Sequence, residues 1–136
     1  MKGCLFCEII NGTKRSWDVY EDKFVKAFLD INPASEGHIL VIPKKHYSTI
    51  FDINDKELQK LIIVVKKISL LCKKTFGVKA VNIISSNGKE AQQEIPHLHF
   101  HILPRREGDK LNFNYDPIKM DTKKLDDILF KLKQTG

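Results

Sequence analysis

Hydrophobic positions along this chain follow two periods, and each predicts its own kind of element. Between Asn54 and Gly77 the apolar side chains Leu58, Leu61, Ile62, Val65, Ile68 and Cys72 recur at helical spacing. Asn54-Asp55-Lys56-Glu57 reads as a capping box and Gly77 as a stop, so one long helix is expected here. Cys4 to Asn11 reads as a short helix ended by Gly12. Asp121 is positioned to cap a last amphipathic helix that carries Leu125, Ile128, Leu129 and Leu132 on one side. Elsewhere the period is two. Trp17 to Glu21, Phe24 to Asp30, His38 to Ile42 and Val78 to Ser85 read as strands. Asp22-Lys23 forms a turn between the first two, and Asn32 to Gly37, rich in turn formers, separates the second from the third.

A fifth strand has an unusual alternation. His97-Leu98-His99-Phe100-His101 runs into Ile102-Leu103-Pro104-Arg105, so three imidazoles project to one side about 7 Å apart while Leu98, Phe100 and Ile102 face a core. The polar loop Asn87 to Glu94 delivers the chain into this strand and borders the ridge. Strands in short succession with helices inserted predict an α+β fold, a mainly antiparallel five-stranded sheet with one long helix and short terminal helices.

Composition narrows the setting. With 136 residues, 42% of them hydrophobic and 29% charged, the chain forms one domain over 1–136, its core at about 4–106 and a C-terminal extension with a helix over 107–136. The net charge of +6 allows attraction to polyanions, but the lysines come in pairs such as Lys66-Lys67, Lys73-Lys74 and Lys123-Lys124 on amphipathic helices. They read as solvated helix faces, so no specific nucleic acid binding is expected. No apolar run is long enough to cross a bilayer and Met1-Lys2-Gly3-Cys4 lacks an apolar signal core, so a cytoplasmic protein with no membrane partner is expected. In that reducing setting Cys4-Leu5-Phe6-Cys7 is metal-binding or redox-active rather than a disulfide, and Cys72 is expected to be buried.

Two constellations carry chemistry. A lone histidine on an apolar element is ordinarily a packed core residue, but three in register concentrate titratable groups on one ridge. Cys4 and Cys7 together with His46 and His97 are the residue types of a four-ligand tetrahedral zinc site, the alternatives being a redox-active pair or an empty pair of thiols. Four protein ligands leave no place for water, so such a zinc is structural, fastening the N-terminal helix to the base of the histidine strand.

His97 through Leu103, a His-x-His-x-His followed by two apolar residues, is similar to the signature of the histidine triad (HIT) family. Phe28 to Pro33, Gly37 to His46 and Gln93 to His97 resemble further family blocks, and together they cover most of residues 4 to 106. The likeness is to short, zinc-bearing bacterial-type members related to the Hint branch, and it implies a HIT-like fold. The implied activity is that of a nucleotide hydrolase or nucleotidyl transferase acting at the α-phosphate of a purine nucleoside phosphoramidate or related nucleotide, with an AMP-like product. Alternatives are a dinucleoside polyphosphate hydrolase, which differs in the leaving group, and a weakly active nucleotide-binding sensor or scaffold.

The resemblance also implies roles. His99 is then the nucleophile that forms a covalent nucleotidyl-histidine, active if a backbone carbonyl holds its Nδ1 proton. His101 contacts the α-phosphate and protonates or hydrogen-bonds the departing group, and His38 completes the network. Gln93, with the backbone amide near Glu94, binds phosphate oxygens or the bridging atom, and Asp30 holds the ribose hydroxyls. Leu5, Phe6, Ile9, Phe28 and Ile31 sandwich the base. No catalytic metal is expected. The familiar Asn-Asn-Gly appears as Ser86-Asn87-Gly88, where Ser86 retains a hydrogen-bond donor, and Ala-Gly-Gln appears as Ala91-Gln92-Gln93, where Gln92 gives up the freedom of glycine. A homodimer is expected through the long helix and the strand at Val78 to Ile84. Arg105, Arg106 and the C-terminal segment would then reach the neighbour's substrate.

Overall fold

A computed structural model describes residues 3–136. Its first helix, α1 (Leu5–Ile10), is capped by the Cys4 thiol, which accepts from the Cys7 N–H at 3.4 Å. Strands β1 (Asp18–Glu21), β2 (Val25–Leu29) and β3 (Ile39–Pro43) follow, then the 22-residue helix α2 (Asp55–Phe76), β4 (Ala80–Ile84), a short 3₁₀ turn (Lys89–Ala91), β5 (Phe100–Arg105) and the terminal helix α3 (Thr122–Thr135). The five strands pair antiparallel in the order β1-β2-β3-β5-β4, the sheet that the alternation predicts.

The period of two decides what each face of this sheet touches. Val25 and Ala27 on β2, Ile39 and Val41 on β3 and Ile102 on β5 point to one side, where they pack with Leu61, Val64, Val65, Ile68 and Cys72 of α2. Phe28, Leu40 and Ile42 point to the other side and pack with Phe6, Cys7 and Ile9 of α1. Leu40 pairs in register with His101, so the same parity that sends Ile102 to the long helix sends His101 to the α1 side. His38 and Leu40 likewise share that side.

Three expectations change in detail. Strand β5 begins only at Phe100, so His97 and His99 lie in an irregular lead-in rather than in a strand. The lead-in is nonetheless fixed, because the Leu98 N–H donates to the Tyr47 carbonyl at 2.7 Å and the Leu98 side chain is fully buried. On α2 the Asn54 side chain caps through the Glu57 N–H at 2.8 Å, whereas the Glu57 carboxylate receives the Tyr47 hydroxyl. Ile62, expected on the packed face of α2, is 45% exposed and Val64 takes its place in the core. The last helix forms where expected, with the Asp121 carboxylate accepting from the Lys124 N–H, but Leu125, Leu129 and Leu132 along it are exposed.

Gly37, one residue before His38, has φ of 86°, and a Cβ there would lie 2.5 Å from the Phe76 ring at the end of α2. Backbone conformation and a close approach both demand glycine here. Gly37→Ala should therefore lower the unfolding free energy by about 1–3 kcal/mol in urea titrations.

Candidate active site and metal centre

The lead-in to β5 places its first histidine against α1. His97 is completely buried, and its Nε2–H donates to the Pro43 carbonyl at 2.8 Å. A carbonyl only accepts, so the neutral ring keeps its lone pair on Nδ1, 3.5 Å from the Cys4 Sγ and 3.6 Å from the Cys7 Sγ. His46 Nδ1 lies 3.3 Å from the Cys7 Sγ. The ligand atoms of Cys4, Cys7, His46 and His97 all fall within 4.8 Å of one another. Ligands 2.0–2.3 Å from a tetrahedral zinc stand about 3.5 Å apart, so both the spacing and the donor set fit that ion. Burial pushes the Cys7 thiol above its ordinary range, helped by the Cys4 thiol beside it; a bound dication would act in the opposite sense and hold thiolates.

The next two histidines face a cleft of about 460 Å³ between α1, the β2–β3 connection and the loop before β5. The Phe6 ring bridges the two regions, edge-on to His97 at 5.8 Å and to His99 at 5.1 Å. His99 Nδ1–H donates to the His97 carbonyl at 2.7 Å, which leaves the lone pair on Nε2. His101 is fixed by a relay. The Ala34 N–H donates to His38 Nδ1 at 3.0 Å, so His38 carries its proton on Nε2 and donates to His101 Nδ1 at 2.9 Å. His101 in turn presents Nε2–H. Asp30, His38 and His101 also cluster within ligand distance of one another, but the relay occupies both His38 nitrogens and His101 Nδ1, so it acts as a hydrogen-bond chain.

Burial holds all four of these imidazoles below the usual histidine range. His97 is pushed down to about 4 by burial, with the charges of His46 and His99 adding and the Pro43 carbonyl opposing. His101 is pushed down to about 4 by burial, then by His99 and His38. Burial also lowers His38, against the attraction of Asp30, and His99, against its bond to the His97 carbonyl. At neutral pH the cleft thus offers neutral rings, one with a lone pair and one with an N–H.

The expected base residues Leu5, Phe6, Ile9, Phe28 and Ile31 all line the cleft, as do Asp30, His38, Ser86, Gln93 and Glu94. Asp30 is oriented by the Asn32 N–H at 2.8 Å and has its other oxygen 3.5 Å from His38 Nε2. Gln93 has different work from that expected. Its Oε1 accepts from the Gly88 N–H at 2.9 Å and its Nε2 donates to the Ser48 and Ile95 carbonyls at 2.7 and 3.0 Å, so its amide clasps the loop. Arg105 is likewise spent within its own chain, on Asp109, on Asn82 at 2.6 Å and on the Leu111 carbonyl. Arg106 bonds the Glu36 carbonyl at 3.0 Å, so within the single chain both arginines are engaged by their own residues.

Lys14, Arg15, Ser16 and Trp17 line the outer end of the cleft, and Gln92 lines it beside Gln93. None of the five was singled out as a site residue from the sequence, since Lys14, Arg15 and Ser16 lie in a connection without period and Trp17 was read only as the start of a strand. The Arg15 guanidinium stands 4.6 Å over the Trp17 indole, an arrangement visible only once the chain is folded.

The HIT domain profile matches residues 11–108, and the chain belongs to the HIT family. It is 46% identical over 130 residues to an uncharacterised HIT-like protein of Methanocaldococcus jannaschii, covering 96% of this chain and 98% of that one. It is 39% identical over 104 residues to the adenosine 5'-monophosphoramidase HNT1 of Saccharomyces cerevisiae, covering 76% of this chain and 63% of that one. A zinc-bound histidine triad family protein of Mycobacterium smegmatis superposes with a TM-score of 0.78 at 33% identity, covering 98% of both chains. No helix among the described residues is long and apolar enough to cross a membrane.

Because the four histidines have lowered pKa values in the folded state, the unfolded chain binds more protons below the ordinary histidine value. Stability should be full above a pH of about 6.5 and fall steadily as pH drops toward 4. Urea titrations across this window check the slope, and a flat profile would contradict the neutral, desolvated assignment.

Proposed function

We propose that this chain is a nucleoside phosphoramidate hydrolase that works through a covalent nucleotidyl intermediate on His99. The observation that carries the reading is the His99 tautomer, since an Nδ1–H held at 2.7 Å by a backbone carbonyl leaves Nε2 ready to attack phosphorus. The resemblance to an adenosine 5'-monophosphoramidase supports the choice of substrate. The base lies between α1 and Phe28 with Ile31, the ribose hydroxyls bond Asp30, and the α-phosphate faces His99 and His101.

His99 Nε2 forms a bond to the α-phosphorus as the P–N bond breaks. The nitrogen leaves with the bonding pair and takes a proton from solvent at the open mouth of the cleft. His101 Nε2–H donates a hydrogen bond to the charge that develops there. The His38 relay favours this hydrogen-bonding role over full proton loss, because a neutral ring flanked by neutral rings is a poor acid. Water then adds to phosphorus, loses a proton to solvent and displaces His99, releasing a nucleoside monophosphate. None of the three cysteines is in a disulfide, which fits a reducing, cytoplasmic setting.

His99→Ala should bind AMP with little change while losing at least about 10³-fold in kcat, and mass spectrometry should find no nucleotidyl adduct on it. Near-normal turnover by this variant would end the covalent reading. Parallel assays with adenosine phosphoramidate and a diadenosine polyphosphate identify the leaving group, and faster cleavage of the latter would reassign the substrate.

The four-ligand cluster is read as a structural zinc site. Elemental analysis of freshly purified protein should find about one zinc per chain, and replacing Cys4 and Cys7 by serine should lower Tm by at least about 5 °C. Turnover is expected without added magnesium.

The functional unit is read as a homodimer. Strand β4 is a sheet edge, Ile83 on it is half exposed, and Ile63 and Leu70 on α2 are exposed beside Ile62. An isologous pairing of these surfaces removes the edge and buries the apolar face. Light scattering at micromolar concentration should give twice the 15.7 kDa chain mass.

A further inference from the structure

Gln92 sits where its own backbone is least comfortable. With φ of 65° it is the one non-glycine residue among those described in the left-handed region, where a Cβ crowds the neighbouring carbonyl. Such a conformation persists only where the surroundings over-determine it. Here they do. The Gln92 N–H donates to the Lys89 carbonyl at 2.9 Å and the Gln93 N–H to the Gly88 carbonyl at 3.2 Å. Three bonds from the Gln93 side chain clasp the same loop, and Asn87 Oδ1 ties it to the Ile50 N–H at 2.7 Å.

The two adjacent glutamines therefore divide their labour. The Gln93 amide has committed both N–H groups and an oxygen lone pair to the loop, so it has no donor left for a substrate. The Gln92 amide has no hydrogen-bond partner among the described residues, and the residue lines the cleft that holds His99 and His101. Within the nucleotide reading, the base, ribose and α-phosphate already have their contacts. What remains unmatched is the group on the far side of the scissile bond.

We propose that Gln92 is a specificity-determining residue for the leaving group, its carboxamide hydrogen-bonding a carbonyl or hydroxyl carried by the departing amine. The assignment rests on the phosphoramidate reading above. It makes the favoured substrates nucleoside phosphoramidates of polar amines, such as amino-acid esters, over those of plain alkylamines. The loop bonds fix the Gln92 backbone beside the cleft, while its exposed carboxamide, bonded to no other described residue, is left available to a leaving group.

The test compares the adenosine phosphoramidate of alanine methyl ester with that of an alkylamine of the same length. The wild-type chain should favour the ester by about 3- to 10-fold in kcat/KM, the ratio one good hydrogen bond supplies. Gln92→Gly, which suits the backbone but lacks the amide, and Gln92→Met, which keeps the length and lacks the amide, should both bring the ratio close to one. AMP affinity should stay within about 2-fold of wild type in both. A ratio unchanged in either variant overturns the assignment while leaving the phosphoramidate reading intact. A wild-type chain that neither binds AMP nor cleaves either compound overturns that reading, and this assignment with it.

Discussion

The site depends on His97, which contributes to both halves of it. Its ring Nε2–H is held by the carbonyl that ends β3, its Nδ1 faces two thiols capping and lining α1, and its own carbonyl holds the proton of His99. A single fully buried residue thus sets the geometry of the cysteine–histidine cluster and the tautomer of the candidate nucleophile. Disturbing the cluster would tilt the peptide that presents the His99 acceptor. The candidate metal ligand and the candidate nucleophile are only two residues of chain apart.

Desolvation supplies the chemistry that this geometry organises. Placing imidazoles between Phe6, Leu40 and Phe28 makes their charged forms expensive, so the rings stay neutral where free histidines would titrate. Neutral rings then differ only in where each keeps its proton, and backbone groups decide that. The His97 carbonyl fixes one ring as a lone-pair donor; the Ala34 amide, acting through His38, fixes the next as a hydrogen-bond donor. Two identical side chains thus end with opposite hydrogen-bonding character, set by backbone groups.

Outside the site the molecule leaves apolar surface unspent. The solvent side of α2, the outer edge at β4 and nearly all of α3 expose leucines, isoleucines and aromatics. The tail is anchored where it leaves β5, by Arg105 and Asp109, whose carboxyl the guanidinium holds well below the usual carboxylate range. Beyond that anchor α3 buries no side chain in its own domain. Hydrophobic area of this extent is the physical basis for reading the chain as one half of an assembly.

The strands, the long helix, the cap at Asp121 and the histidine alternation were legible because period and capping are local properties of the chain. The pairing of Cys4 and Cys7 with distant histidines was legible because few residue types ligate zinc and the spacing is short. A backbone carbonyl on His99 Nδ1 was expected, but the protonation of His97 and His38 was not legible, since a tautomer is fixed by whichever backbone group stands opposite, and Pro43 and Ala34 are opposite only after the sheet has formed. The exchange of work between Gln92 and Gln93 was hidden for the same reason. Two identical letters in sequence differ here because tertiary contacts from Ser48 and Ile50 bind the loop, take up one amide and leave the other uncommitted on a residue that lines the cleft.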